Sequence, residues 1–256
     1  MALKADGSLW GWGSNVYGQI GDSNDPGYRY SPVKIMDAVS AVAVGSDHTL
    51  ALKTDGSLWA WGWNRQGQVG ANTQEEYCFV PQKIMNGVAV VAAGAYHSAA
   101  IKRDGSLWVW GANTYGEIGD GTTAERRSPV KILNKAAALI MGGELTMAIK
   151  TDGSLWAWGN NDSGRIGNGT TQNCLSPAKI LDDVATVSYG DGYSLAAKRD
   201  GSLWAWGLND YGNIGDGTVN EYEWIDDGSR DGVSQLSLDR NANPPIKIMD
   251  GLKQHI

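Results

Sequence analysis

Short apolar runs alternate with polar turns along the whole chain, and this pattern recurs at a nearly constant spacing. The pentad Asp-Gly-Ser-Leu-Trp begins at five positions that lie 48 or 49 residues apart, namely Asp6, Asp55, Asp104, Asp152 and Asp200. A period of this length is typical of four-stranded propeller blades and is longer than that of helical-pair repeats. The pattern therefore predicts an all-β repeat protein.

The second repeat illustrates the four strands that we expect in each unit. They cover residues 57–62 (SLWAWG), a short region at 81–84, residues 88–94 (VAVVAAG) and residues 97–102 (HSAAIK). Asp-Gly between two apolar runs indicates a hairpin, because both residues tolerate the positive φ angles of a tight turn. This turn requirement explains the five aspartates. An acidic ring for metal binding or catalysis is the alternative interpretation.

Each repeat carries two tryptophans on one strand, separated by a single small or medium-sized residue. Successive strand residues face opposite sides of a sheet, so Trp59 and Trp61 share one face, and Leu58 and Ala60 share the other. A strand that is apolar on both faces must be covered on both, which sheets stacked around a common axis achieve. Because each tryptophan buries on the order of 200 Å², we predict that the pairs pack between blades. A platform for an aromatic ligand is the alternative.

Composition and charge narrow the classes of partner. The chain has 35 glycines and 12 tryptophans but one phenylalanine, and its net charge is −7. With no basic run in the sequence, binding to a phosphate backbone would oppose the overall field. No apolar stretch reaches the roughly 18 residues of a membrane span, and the first residues lack the apolar core of a signal peptide. We expect neither a nucleic acid nor a membrane as partner, and the compartment stays open.

No motif for catalysis or cofactor binding accompanies the repeats. The sequence lacks the phosphate-binding GxxxxGK[ST], a GxGxxG between strand and helix, and the nucleophile motif GxSxG. His48 and His97 precede apolar runs, where structural hydrogen bonds are expected rather than metal ligation. Cys78 and Cys174 lie at equivalent places two repeats apart, too far for a disulfide in stacked blades. We expect a protein that is not an enzyme, with no catalytic residue, metal or cofactor.

Residues 45–70 (GSDHTLALKTDGSLWAWGWNRQGQVG) resemble the consensus of the RCC1 repeat, the unit of regulator-of-chromosome-condensation-type β-propellers. The shared elements are Gly-x-x-His, Asp-Gly-x-Leu-Trp-x-Trp-Gly, Asn and Gly-Gln-Val-Gly, and the resemblance covers essentially the whole chain outside one insertion. It implies one propeller domain over residues 1–256, built of about five four-stranded blades. Members of this family usually have seven blades, which favours an open arc, or an excerpt of a larger propeller, over a closed ring. Exposed terminal blades would then allow self-association.

The fifth repeat differs from the others in one surface loop. The final glycine of Gly-x-Ile/Val-Gly and the proline that opens the Pro-x-Lys-Ile strand are 10 or 11 positions apart in four repeats and 30 positions apart in the fifth, from Gly215 to Pro245. The inserted segment, residues 218–243, combines aromatic and acidic residues, as interface anchors do. A surface loop without function is the alternative. With Trp63, the other tryptophan outside the five pairs, the candidate partner-binding residues are Tyr222, Trp224, Ile225, Asp226, Asp227 and Trp63.

These features favour a non-catalytic module that presents rim loops to another protein. The resemblance implies two alternatives: an inhibitor that covers an enzyme's active site with one rim, as some bacterial members do, and a guanine-nucleotide exchange factor for a small GTPase, like the founding member. The founding member has a basic tail and a protruding wedge. This sequence has no basic tail, and a wedge could come only from residues 218–243. Light sensing, known in plant relatives, is excluded because the position after the first glycine of Gly-x-x-His holds no tryptophan.

Overall fold

β-strands make up nearly all regular structure in the computed structural model, which describes residues 1–23, 27–220, 222–225, 234–237 and 244–252. The strands form one three-stranded sheet, four four-stranded sheets and one two-stranded hairpin. All pairings are antiparallel, as expected for sequential strands joined by tight turns. Among the described residues the only helix is a single 3-10 turn, Asp162–Gly164.

The strands are numbered in chain order. They are β1 (Ala2–Leu3), β2 (Leu9–Ser14), β3 (Tyr28–Met36), β4 (Val39–Val44), β5 (His48–Lys53), β6 (Leu58–Trp63), β7 (Tyr77–Met85), β8 (Val88–Ala93), β9 (His97–Lys102), β10 (Leu107–Gly111), β11 (Arg126–Leu133), β12 (Ala136–Met141), β13 (Leu145–Lys150), β14 (Leu155–Gly159), β15 (Cys174–Leu181), β16 (Val184–Tyr189), β17 (Tyr193–Lys198), β18 (Leu203–Gly207), β19 (Tyr222–Ile225), β20 (Ser234–Ser237) and β21 (Ile246–Met249).

Each four-stranded sheet is one blade whose first strand lies nearest the axis. The inner strands β4, β8, β12 and β16 are neighbours of one another, and each is followed outward by the other three strands of its blade. The prediction of four-stranded blades is therefore confirmed, but the blades do not coincide with the repeats. Of the four strands in the second repeat, β6 and β7 end one blade and β8 and β9 begin the next. The outer strand is longer than predicted, because β7 covers Tyr77–Met85 instead of 81–84. A register shift beside Gly62, whose φ is 106°, lets β7 continue past the bulge.

The blades form an open arc, as the resemblance led us to expect. The first sheet contains β1, β2 and β3, and the last contains β16, β17, β18 and β21, so the first and last strands do not share a blade. Trp12 in the first sheet is 47% exposed, whereas its equivalents in the other four blades, Trp61, Trp110, Trp158 and Trp206, are buried. The second tryptophan of a pair thus needs a preceding blade to cover it.

The second tryptophan of the last four pairs fixes the contact between blades, which confirms the predicted packing role for these four. Trp110 is fully buried and packs with Leu58 and Ala60 of the preceding blade. Its indole Nε1 donates a hydrogen bond to the backbone carbonyl of Gln68 at 3.0 Å. The ring lies so close to Gly70 that a Cβ atom there would stand 2.5 Å from Nε1. This glycine is therefore needed for close approach as well as for its φ of 82°.

The first tryptophan of each pair is half-buried and is tied to the Asp-Gly turn. In the second repeat, Trp59 Nε1 donates to Ser57 Oγ at 3.0 Å, and Ser57 Oγ donates to Asp55 Oδ1 at 2.6 Å. The hydrogen bonds from the Ser57 side chain and backbone lower the pKa of the Asp55 carboxyl. The Lys53 ammonium lies 5.7 Å from the Trp59 ring centroid, within range of a cation–π contact. The same arrangement occurs in all five repeats, so the aspartates serve the turns.

Gly119→Ala is expected to destabilise the fold by about 2 kcal/mol more than Gly217→Ala. Both glycines have a left-handed backbone, with φ of 82° and 84°, so both variants carry the same conformational strain. A Cβ at Gly119 would stand 2.6 Å from the buried Trp158 Nε1, whereas no described atom lies within 4 Å of a Cβ at Gly217. Urea unfolding of the two variants measures the difference. Equal losses would contradict the close-approach argument.

Candidate functional site

The connections between strands emerge on two opposite sides of the arc. The side that we call the loop rim carries the β4–β5 and β6–β7 connections and their equivalents, and the opposite side carries the Asp-Gly turns. Trp63 is the last residue of β6 and so lies on the loop rim. The chain also leaves β18 on this side, where the inserted segment begins. Both sequence-predicted regions therefore start from the same rim.

Trp63 belongs to a cluster of aromatic side chains that spans three blades. Its ring centroid is 6.2 Å from that of Tyr17 and 5.2 Å from that of Tyr96, which stands perpendicular to it. Tyr17 stacks on Tyr77 at 5.8 Å, and Tyr77 lies 6.1 Å from Phe79. We call these five residues the aromatic cluster. Tyr17 and Tyr77 are 40% and 38% exposed, so the cluster presents ring surface to solvent.

Backbone contacts hold the aromatic cluster in place. The Trp63 N–H donates to the Asp47 carbonyl at 2.8 Å, and the Ala112 N–H donates to the Tyr96 carbonyl at 2.9 Å. The loop after Trp63 is organised by Asn64, which accepts a hydrogen bond from the Val69 N–H through its Oδ1 at 3.1 Å. Because Asn64 is itself buried, this loop is pre-organised by the fold.

A cleft of 510 Å³ opens beside the aromatic cluster on the loop rim. Trp63, Tyr96 and Tyr115 contribute aromatic wall, and Glu117 and Glu144 contribute carboxylates. Glu125 and Arg65 also line the cleft, and Glu125 forms an ion pair with Arg127 at 3.0 Å. A concave site with aromatic walls and a few convergent polar groups is the usual form of a binding site.

Two of the three carboxylates that line the cleft, those of Glu117 and Glu144, are held by hydrogen bonds but form no ion pair with a residue that the structure describes. Glu117 accepts a hydrogen bond from the Tyr115 N–H at 2.8 Å, and Glu144 accepts one from Asn160 Nδ2 at 2.8 Å. Burial raises the pKa of Glu117, and the neighbouring Glu144 adds to this shift. The cleft can therefore interact favourably with a positively charged group.

The structure brings one of the six sequence-predicted site residues, Trp63, into this site. Tyr222, Trp224 and Ile225 form strand β19, which pairs with β20 so that Trp224 lies opposite Gln235. Asp226 and Asp227 lie outside the described residues. Whether the inserted segment joins Trp63 in binding stays a prediction.

Sequence reasoning missed Tyr17, Tyr77 and Tyr96 as members of the site. Their signal is positional, because each stands in a connection, or at the start of a strand, on the loop rim. Placing all tyrosines on the four-strand template would have marked the loop rim as aromatic. The template alone could not show that rings from three blades make contact.

The two histidines of Gly-x-x-His are structural, as predicted. His48 Nε2 lies 2.9 Å from Ser98 Oγ, and His97 Nε2 lies 2.9 Å from Thr146 Oγ1, each in the following blade. Ser98 Oγ donates its proton to the Gln68 carbonyl at 2.7 Å, so His48 Nε2 is the donor towards Ser98. Burial lowers the pKa of His48 to about 4 and that of His97 to about 3. Both imidazoles are therefore neutral near pH 7.

The described residues hold neither a cluster of metal-ligating side chains nor a disulfide. No group of three or more His, Cys, Asp or Glu side chains that could hold a metal occurs in the described ranges. Cys78 and Cys174 are both free, as their separation predicted. Burial raises the pKa of the Cys78 thiol, which disfavours the reactive thiolate.

Comparison with known proteins agrees with this geometry. The family model of the RCC1-like domain matches residues 1–234. Human WBSCR16 superimposes with a TM-score of 0.73 at 22% identity, covering 85% of this chain and 61% of that one. Yeast RCC1 (Prp20), in its structure with Kap60, gives 0.71 at 22%, with coverage of 84% and 55%. Prp20p from Saccharomyces cerevisiae gives 0.71 at 20%, with coverage of 97% and 60%.

The chain spans 55% to 61% of the length of the solved structures named above. No curated protein sequence matches it significantly.

In the part of the chain that the structure describes, no helix is long and apolar enough to cross a membrane.

Proposed function

The chain belongs to the RCC1-like domain family, and on that basis we propose that residues 1–256 act as a non-catalytic domain that binds a protein partner through the loop rim. The observation that carries this proposal is the aromatic cluster around Trp63 and its adjoining cleft. Exposed tyrosine and tryptophan are enriched at the centres of protein interfaces, because each combines a large apolar area with a polar atom.

The geometry of the site supports a macromolecular partner. Tyr17, Trp63 and Tyr96 come from three blades, so a ligand that touched all of them would contact a broad surface. The adjoining cleft offers a recess into which a partner side chain could insert as an anchor. Because Glu117 and Glu144 line this recess without an ion pair in the described ranges, we expect the inserted group to be basic.

The structural neighbours include proteins whose structures concern protein partners. Yeast RCC1 (Prp20) was solved bound to Kap60, and the work on Prp20p concerns its binding to Gsp1p and histones. Identities of 20% and 22% carry the fold only. Exchange of guanine nucleotide on a small GTPase and inhibition of an enzyme by one rim both stay alternatives, and each is itself a form of protein binding.

Trp63→Ala is expected to weaken partner binding at least about tenfold, as loss of a central aromatic anchor does. The experiment captures a partner from a lysate on the immobilised chain, identifies it, and then measures its affinity for purified variants. Tyr30→Ala is the matched control, because Tyr30 is 94% exposed on outer strand β3 and outside the aromatic cluster. The control variant is expected to bind like the wild type.

A variant lacking residues 218–243 tests the inserted segment separately. If its affinity falls while Trp63→Ala binds normally, the partner uses the insertion instead of the aromatic cluster. Binding unchanged in both variants would contradict the loop-rim proposal. Faster release of a fluorescent guanine nucleotide from a small GTPase would instead favour the exchange alternative.

A further inference from the structure

Every contact between successive blades is built around the same binding site for an indole ring. We call it the Trp-binding site. It consists of two parts of the Gly-x-Ile/Val-Gly element, namely the backbone carbonyl of the variable second residue and the final glycine. The indole Nε1 of the next blade donates to this carbonyl at 2.9 or 3.0 Å in four cases. The pairs are Trp61 with Gln19, Trp110 with Gln68, Trp158 with Glu117, and Trp206 with Arg165.

The glycine of each occupied Trp-binding site lies directly under the indole. A Cβ atom built on Gly21, Gly70, Gly119 or Gly167 would stand 2.5 to 2.7 Å from a ring atom of the bound tryptophan. No side chain larger than hydrogen fits beneath the ring without displacing it. The geometry is thus repeated four times with small variation, which makes an unoccupied copy easy to identify.

The last blade carries a fifth Trp-binding site, at Asn213–Gly215, and no tryptophan side chain that the structure describes occupies it. Within 4 Å of a Cβ on Gly215, the only described atom outside its chain neighbours is Ile248 Cγ2, at 3.6 Å. The surrounding face is also less covered than in other blades. Leu203 is only partly buried, although Leu58 at the same place in the second repeat is fully buried.

The first blade carries the matching tryptophan without a site. Trp12 occupies the same place in its pair as Trp61 and Trp110, but it is 47% exposed. Its Nε1 makes no hydrogen bond with a residue that the structure describes, whereas the other four second-position indoles each bond to a carbonyl. Within the described residues of one chain, the Trp12 indole therefore has no Trp-binding site to occupy, and the Trp-binding site at Asn213–Gly215 has no indole bound to it.

We propose that Trp12 of one copy binds the Trp-binding site at Asn213–Gly215 of a second copy, so that the chain assembles head to tail. The contact continues the interface that already joins the blades within one chain, which is why a second copy is the occupant. Such an interface is heterologous, because it uses two different surfaces. A dimer keeps one free Trp12 and one free site, so assembly continues as concentration rises.

The test is sedimentation velocity of the full chain over a wide concentration series. Wild-type protein is expected to grow from monomer to larger species. Trp12→Ala, which removes the donor, and Gly215→Ala, which places a Cβ under the ring, are each expected to raise the dissociation constant at least tenfold. Trp12 is 47% exposed, and among described atoms a Cβ on Gly215 would meet only Ile248 Cγ2 at 3.6 Å, so both variants should fold. Gly217→Ala, which carries the same left-handed strain as Gly215→Ala outside the site, is the matched control and should assemble normally. Trp63→Ala on the loop rim should assemble normally, which separates this proposal from the proposed function.

Mixing the two assembly variants gives the sharpest result. A Trp12→Ala copy retains an intact site, and a Gly215→Ala copy retains an intact Trp12, so the mixture can form one contact and no more. We expect a dimer that does not grow further, although each variant alone stays monomeric. The proposal is overturned if the wild type stays monomeric at all concentrations, if either single variant assembles like the wild type, or if the mixture forms no dimer.

Discussion

Trp110→Ala is expected to lower the free energy of unfolding by about 3 to 5 kcal/mol, the range for large aromatic-to-alanine changes in a core. The side chain is fully buried between two blades, where it packs on Leu58 and Ala60. Its loss leaves a cavity in the interface and removes the hydrogen bond to the Gln68 carbonyl. That carbonyl still accepts the Ser98 hydroxyl at 2.7 Å, so most of the loss comes from packing.

Trp12→Ala is the matched control, because Trp12 occupies the same position in its repeat but is not covered by another blade in the structure. With 47% of its surface exposed, its removal is expected to change the free energy of unfolding by less than about 1 kcal/mol. Urea unfolding followed by circular dichroism, in dilute protein, measures both variants. Similar losses at the two positions would contradict the conclusion that the second tryptophan stabilises the fold through the neighbouring blade.

The tryptophan pairs show how far the sequence predicts the packing. A period of two places Trp108 and Trp110 on one face, and the structure confirms that both pack towards the preceding blade. The pattern could not show that only Trp110 is fully buried. The carbonyl partner of Trp110, on Gln68, lies 42 residues earlier, whereas Trp108 Nε1 donates to Ser106 Oγ of its own turn at 2.9 Å. Such contacts depend on the angle between blades, which strand periodicity does not encode.

The aromatic cluster shows the same limit on what the sequence predicts, here for the candidate site. Trp63 could be singled out because it stands outside the repeated pairs. Tyr17, Tyr77 and Tyr96 could not, because they belong to three different blades and meet only through the twist and stacking of the sheets. The cleft carboxylate Glu117 was hidden for another reason. It occupies a variable position that holds glutamine in the first two repeats, so the pattern gave it no special meaning.

The second large effect that we expect is a loss of stability when the pH falls from 7 to 5. The folded-state pKa values of His48 and His97 are about 4 and about 3, below the ordinary value of 6.5. In this window the unfolded chain takes up protons that the folded chain does not, so the free energy of unfolding falls with pH. Each histidine contributes about 2 kcal/mol to the loss between pH 7 and 5.

Leucine replacements isolate this histidine contribution, because the chain itself places Leu145 at the equivalent position in a later repeat, fully buried. His48→Leu or His97→Leu is expected to remove about half of the pH dependence, and the double variant nearly all of it.

Glu117 acts in the opposite direction, because its raised pKa lets the folded state take up a proton before the unfolded state does. A small residual slope of opposite sign is therefore expected in the double variant. The turn aspartates have lowered pKa values and influence stability only at lower pH. Urea unfolding at pH 7, 6 and 5 measures these slopes. A wild-type slope that persists in the double variant would show that the two imidazoles are not held neutral between the blades.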